Sequence, residues 1–153
     1  MTTADPARSR GFCDGYGPMT ACGIASAVRT GEVSAREVAV AALERIAGQD
    51  KVRAFTRLWP VPATEQATAV DRRIRAGERL PLAGVPLAVK ATEGSASQQT
   101  RRLLDAGCIP VGATATPGPG TRWRTWGTTP SGPTLNPHDS SWSPGGCDHT
   151  FRW

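Results

Sequence analysis

Apolar and charged positions alternate regularly between Ile24 and Val111; from Thr114 onward Gly, Pro, Thr and Ser dominate and aliphatic residues are few. The first stretch predicts a run of short helices and strands. Thr20 is placed to cap a helix carrying Ile24, Ala27 and Val28 on one face and stopped near Gly31. Ser34-Ala-Arg-Glu37 forms a capping box, in which the hydroxyl accepts from a first-turn N–H and Glu37 reaches back. Val33 and Val38 have the spacing of a hydrophobic staple. Val38, Ala42 and Ile46 then recur at helical intervals with Leu43 beside them, and Gly48 suits the C-terminal cap.

Val52 to Leu58 alternates apolar or small residues with arginine, apart from Phe55, and predicts a strand with one wet face, ended by Pro60 and Pro62. Ala67, Val70 and Ile74 predict a third helix closed by Gly77. Gly84 to Val89 reads as a short strand buried on both sides, Gln98 to Ala106 as a helix stopped at Gly107, and Cys108 to Gly112 as another strand. Strand, helix, strand with short connections is the pattern of a parallel α/β unit. Three regions are expected: an unordered stretch at 1–18, a partial α/β domain at 19–113, and an irregular Gly/Pro/Thr/Trp-rich segment at 114–153. That last segment carries too little apolar surface to offset its own conformational entropy, so it is expected to lie on a larger body.

With 153 residues the chain is long enough for one domain. The net charge of +5 comes mostly from arginine and fits many soluble proteins as well as anion binders. Cysteines at 13, 22, 108 and 147 include no Cys-x-x-Cys pair and no nearby histidine pair, which fits neither a zinc site nor a disulfide scaffold. Reduced thiols in a cytoplasmic protein are the plain reading. No apolar run is long enough to span a bilayer, so no membrane partner is expected, and nothing in the sequence calls for a cofactor or a metal.

Two segments carry a resemblance. Pro81-Leu-Ala-Gly84-Val-Pro86-Leu-Ala-Val-Lys90 sets a lysine at the end of an apolar strand, and Asn136-Pro137-His-Asp-Ser-Ser-Trp-Ser-Pro144-Gly145-Gly146 follows some fifty residues later. The first resembles the lysine-bearing strand of the amidase signature family, the second the approach to its serine-rich loop. The resemblance runs from about Met19 to Gly146 but covers only the N-terminal portion of a family member. It implies the opening part of a large mixed sheet covered by helices: two helices, a strand, a third helix and the lysine strand. The fold class expected is therefore α/β, an amidase-signature fold in truncated form with an irregular tail.

What the resemblance implies chemically is hydrolysis of a linear amide C–N bond by a lysine, a bridging serine and a nucleophilic serine, through an acyl-enzyme. A lysine that takes a proton must be neutral, and desolvation disfavours the charged form. Lys90, ending the run Val85 to Val89, is the residue that corresponds to the family base; the bland alternative is a lysine leaving a strand for solvent. The sequence departs from the pattern in three places. Ala91 replaces the acidic residue that often follows the lysine, and only Ala-Thr-Glu-Gly-Ser-Ala-Ser joins Lys90 to Gln98. Cys147 and Asp148 stand where the bridging serine belongs.

Cys147 is a poor substitute nucleophile, because Asp148 beside it disfavours the thiolate. A frameshift or an early stop in the coding sequence would explain the abrupt change after Gly146. The expectation is thus an amidase relative that acts on a small-molecule amide when full-length and is inactive in this form. The alternative is a non-catalytic fragment or pseudoenzyme that binds a protein partner through its tryptophan-rich tail. Arg122-Trp123-Arg124-Thr-Trp126 has the composition of a nucleic-acid surface, but these tryptophans are read as packing on a body this chain lacks, so nucleic acid is not the favoured partner. His138 and His149 read as solvated side chains, and Asn136-Pro137 as turn punctuation.

Overall fold

The computed structural model describes residues 19–48, 50–91, 97–117, 126–142 and 144. Four α-helices and a small mixed sheet make up the body in these residues: α1 (Ala21–Thr30), α2 (Ala35–Gly48), β1 (Phe55–Leu58), α3 (Pro60–Arg75), β2 (Pro86–Lys90), α4 (Gln98–Asp105) and β3 (Ile109–Thr114). A two-stranded hairpin, β4 (Thr128–Thr129) and β5 (Gly132–Pro133), follows.

The starts of α1, α2 and α4 are where the local sequence puts them. Thr20 accepts from the Gly23 N–H at 3.1 Å, and Gly31 closes α1 with φ of 75°. In the box at α2, Ser34 Oγ accepts from Glu37 N at 3.1 Å while Glu37 Oε2 accepts from Ser34 N at 2.9 Å. Val33 and Val38 are both buried, as a staple requires. Gly48 departs from its expected role. It is the last residue of α2 and is not among the glycines with positive φ.

The first strand is shorter than the apolar alternation suggests, because Asp50–Val52 forms a turn of 3₁₀ helix before it. Pro60 does not merely end β1. It occupies the first turn of α3, where a missing N–H costs nothing, and Trp59 N donates instead to Val111 O of β3 at 2.9 Å.

The sheet order is β1-β3-β2. β3 pairs antiparallel with β1 and parallel with β2, so β2, α4 and β3 form the expected parallel unit. Helices α2 and α3 pack against each other and against β3, and the core between them is built of small residues: Ala35, Val38, Ala39, Ala63, Ala67, Val70, Ile109 and Val111. Alanine at so many contacts lets the helices lie close to each other and to the sheet. The strand β2 differs from its reading as buried on both sides. Val89 is buried but Ala88, on the opposite face of this edge strand, is exposed, while Pro86 and Lys90 on that same face are half-buried.

Candidate active-site strand

Successive side chains of a strand point to opposite faces, so Lys90 shares the face of Ala88 and opposes buried Val89. Lys90 is the last residue of β2 and is half-buried. Its neighbour across the parallel pair is Thr114, the last residue of β3. Thr114 ties the two strand ends together: its hydroxyl donates to Val89 O at 3.4 Å, and its carbonyl accepts from Ala91 N at 3.3 Å. The lysine therefore emerges at the carboxyl end of a parallel strand pair, the end at which open α/β sheets generally hold their ligands.

The chain returns to described structure at Ser97, whose hydroxyl accepts from Thr100 N at 3.1 Å and donates to Thr100 Oγ1 at 2.8 Å, capping α4. This hydroxyl is committed to the helix start. Beyond β3, the hairpin lies at the same end of the sheet. Gly127 is buried against Ala115 so closely that a Cβ there would sit 2.6 Å from the Ala115 carbonyl carbon. Nothing in the local sequence signals this docking, since two-residue strands of Thr and Gly-Pro carry no apolar alternation.

The following residues hold themselves by short turns. Asn136 Oδ1 accepts from His138 N at 2.9 Å, as turn chemistry predicts. Asp139 Oδ1 accepts from both Ser141 N at 2.9 Å and Ser141 Oγ at 2.7 Å, and these bonds hold its carboxyl below the ordinary aspartate range. His138 is exposed, in keeping with a solvated imidazole. Trp126 and Trp142 are also exposed, Trp142 to 69%. Cys13, Arg122, Trp123, Arg124, Cys147, Asp148 and His149 lie outside the described residues, and so does the place expected for a bridging serine.

Cys108 lies at the opposite end of the sheet, just before β3 begins, and burial pushes its thiol up to about 11. A thiol that stays protonated there is not a nucleophile. Among the described residues no group of three or more His, Cys, Asp or Glu side chains could hold a metal ion, and no helix is long and apolar enough to cross a membrane. A cleft of about 520 Å³ runs along β1, lined by Ile46, Val52, Phe55, Arg57 and Leu58 among others. β3 separates it from the lysine strand, so it is not the Lys90 site.

No family model matches the chain. It is 39% identical to a glutamyl-tRNA(Gln) amidotransferase subunit from Salinispora arenicola over 153 aligned positions, which cover 84% of this chain and 30% of that one. Its fold superposes on the peptide amidase of Stenotrophomonas maltophilia with a TM-score of 0.73 and 28% identity, over 86% of this chain and 32% of the amidase. A bacterial aryl acylamidase of the amidase signature family gives a TM-score of 0.69 at 26% identity, over 84% of this chain and 31% of that one. The chain thus spans less than a third of the length of each of these relatives.

Proposed function

We propose, for a chain that belongs to the amidase signature family and corresponds to its N-terminal portion, that β2 is the lysine strand of an amide-hydrolysing site and Lys90 its general base. The observation that carries this reading is the position of Lys90: the last residue of the first parallel strand, half-buried, at the carboxyl end of the sheet. In the reaction the amine takes the proton of a serine hydroxyl, through a bridging serine. The freed alkoxide then adds to the amide carbonyl. As the tetrahedral adduct collapses the lysine returns the proton to the leaving nitrogen, the amine departs, and water then cleaves the acyl-enzyme and restores the serine hydroxyl.

The 153-residue polypeptide by itself is proposed not to complete this cycle. Cys147 and Asp148 stand in the place of the bridging serine, and solvent reaches the Lys90 face at Ala88. A base on this strand needs that face covered, because fixed dipoles act strongly on a developing oxyanion where water is excluded.

Two experiments test the two halves of the proposal. Replacing the lysine strand of the Stenotrophomonas peptide amidase with residues 81–91 of this chain should leave a folded, active chimera, inactivated by Lys90→Ala. A chimera that folds with Lys90 in place yet has lost its activity would overturn the assignment. For the chain alone, hydrolysis of an aryl amide should stay at the uncatalysed rate; turnover abolished by Lys90→Ala would show a complete site instead. The exposure of Trp126 and Trp142 favours one second reading, a non-catalytic role in binding a protein. Its simplest form is self-association, read as a concentration-dependent mass in sedimentation that Trp142→Ala reduces.

A further inference from the structure

One residue outside glycine has a left-handed backbone among the described residues: Arg53, with φ of 52°. It lies just before β1, between two carbonyls that serve segments far along the chain. Val52 O accepts from Leu135 N at 2.9 Å, and Ala54 O accepts from Ala115 N at 2.8 Å. The left-handed turn aims these two carbonyls at the hairpin arm and at the end of β3 respectively. The arm is itself closed by Thr134, whose N–H donates to Gly127 O at 2.9 Å and whose hydroxyl accepts from Gly127 N at 3.0 Å. Gly132 meets Arg53 from the other side: a Cβ there would lie 2.8 Å from Arg53 Nη1.

We infer that Arg53 is the backbone latch of an ordered arm, Gly127 to Trp142, and that this latch fixes the arm at the carboxyl end of the sheet, where Lys90 emerges. The inference rests on the amidase reading only for the meaning of that end; the latch itself is a property of the fold. β1 runs antiparallel to β3, so its first residues, and Arg53 before them, stand at the carboxyl end of β2 and β3. Beyond Leu135 the arm is stiffened by the turns at Asn136 and Asp139, with Trp142 N donating to Asp139 O at 3.1 Å. Its course to Trp142 is therefore set by Arg53 at one end and by local turns thereafter. Arg53 acts through this backbone geometry and is a positioning residue, not a catalytic one.

The strain of a left-handed residue supplies the test, since glycine relieves it and a β-branched side chain worsens it. The readout is amide hydrogen exchange of the full 153-residue chain at Leu135 and Ala115, with Ile109, which donates to Val85 O at 2.9 Å, as the core control. Arg53→Val should speed exchange at Leu135 and Ala115 by about tenfold relative to Arg53→Gly, the size of the left-handed penalty. Ile109 should be unchanged in both. Thr134→Val, which leaves Arg53 intact but removes the acceptor for Gly127 N, should open Leu135 as well. Equal exchange at Leu135 in the Val and Gly variants would overturn the latch, and so would Ile109 opening together with Leu135. The result is independent of activity, so a failed chimera and a failed latch remain separate outcomes.

Discussion

Asp71 belongs to α3 yet caps α2. Its two carboxylate oxygens accept from Ala35 N at 2.7 Å and from Arg36 N at 3.3 Å, satisfying donors that the Ser34–Glu37 box leaves over. Charge-assisted bonds to a helix N-terminus are among the stronger ones, so Asp71→Ala should lower the unfolding free energy by about 1–2 kcal/mol in urea titration. Gly84 is as constrained as Asp71 is useful. At φ of 74°, an added Cβ would lie 2.8 Å from Val28 Cγ2 and 3.3 Å from Ala35 Cα. Gly84→Ala should therefore cost about 2–3 kcal/mol, from the left-handed backbone and from crowding at α1 and α2.

Cys108 gives a pH dependence with a definite sign. Its folded thiol ionises near 11 rather than the ordinary 9.0, because burial disfavours the thiolate. Above about pH 9 the unfolded chain releases this proton and the folded chain keeps it, so stability contributed below 9 is lost progressively up to 11. In Cys108→Ala this part of the slope should vanish, which unfolding curves of both proteins between pH 8 and about 11 would show. Exposed Cys22 should react with a thiol reagent in the native state, while Cys108 reacts only on unfolding.

At the scale of elements, α2 was legible because its start is written locally. The hydroxyl, the glutamate three residues on and the flanking valines all act within one turn, and no distant residue is needed. A double-mutant cycle on Ser34→Ala and Glu37→Ala should give a coupling of about 0.5–1 kcal/mol, with a value near zero arguing against reciprocal capping. The strand β2 was legible in position and not in environment. A run such as Val85 to Val89 says that side chains prefer burial, but which faces are covered depends on neighbours supplied by other segments. Here Val89 is buried and Ala88 meets solvent. In the hairpin arm only the turn at Asn136 was legible; the docking was not, because it runs through backbone groups of Val52, Ala54 and Gly127 rather than through side chains with a periodicity.

For the molecule as a whole, the described sheet has β1 and β2 as its two edges, each with a row of backbone groups outside the pairing with β3. The core is mostly alanine and valine; Ile109 and Val70 are the largest of its fully buried side chains. Small residues make close helix contacts but remove little apolar area each, so the stabilisation from burial is modest. The isolated chain should melt over a broad range, with near-UV ellipticity lost before helical ellipticity. A sharp transition coincident in both signals would show a cooperative fold and contradict this expectation. Open edges of this kind also favour association between chains, so the melting range should depend on concentration.

Local sequence was enough to set the order of the four helices and of β1 to β3, the helix boundaries at Thr20, Ser34 and Gly31, the parallel β2-α4-β3 unit, and the place of Lys90 at the end of a strand. These rest on interactions within a few residues, or on a periodicity that one element shows alone. Packing between distant segments made β2 an edge strand with Lys90 half-buried at its end, set Asp71 to cap a helix 36 residues away, and turned Arg53 left-handed to hold a distant hairpin. Each of these depends on which segments meet in space. A carboxylate, an arginine and a short apolar run look alike in sequence whether they meet water or another part of the chain.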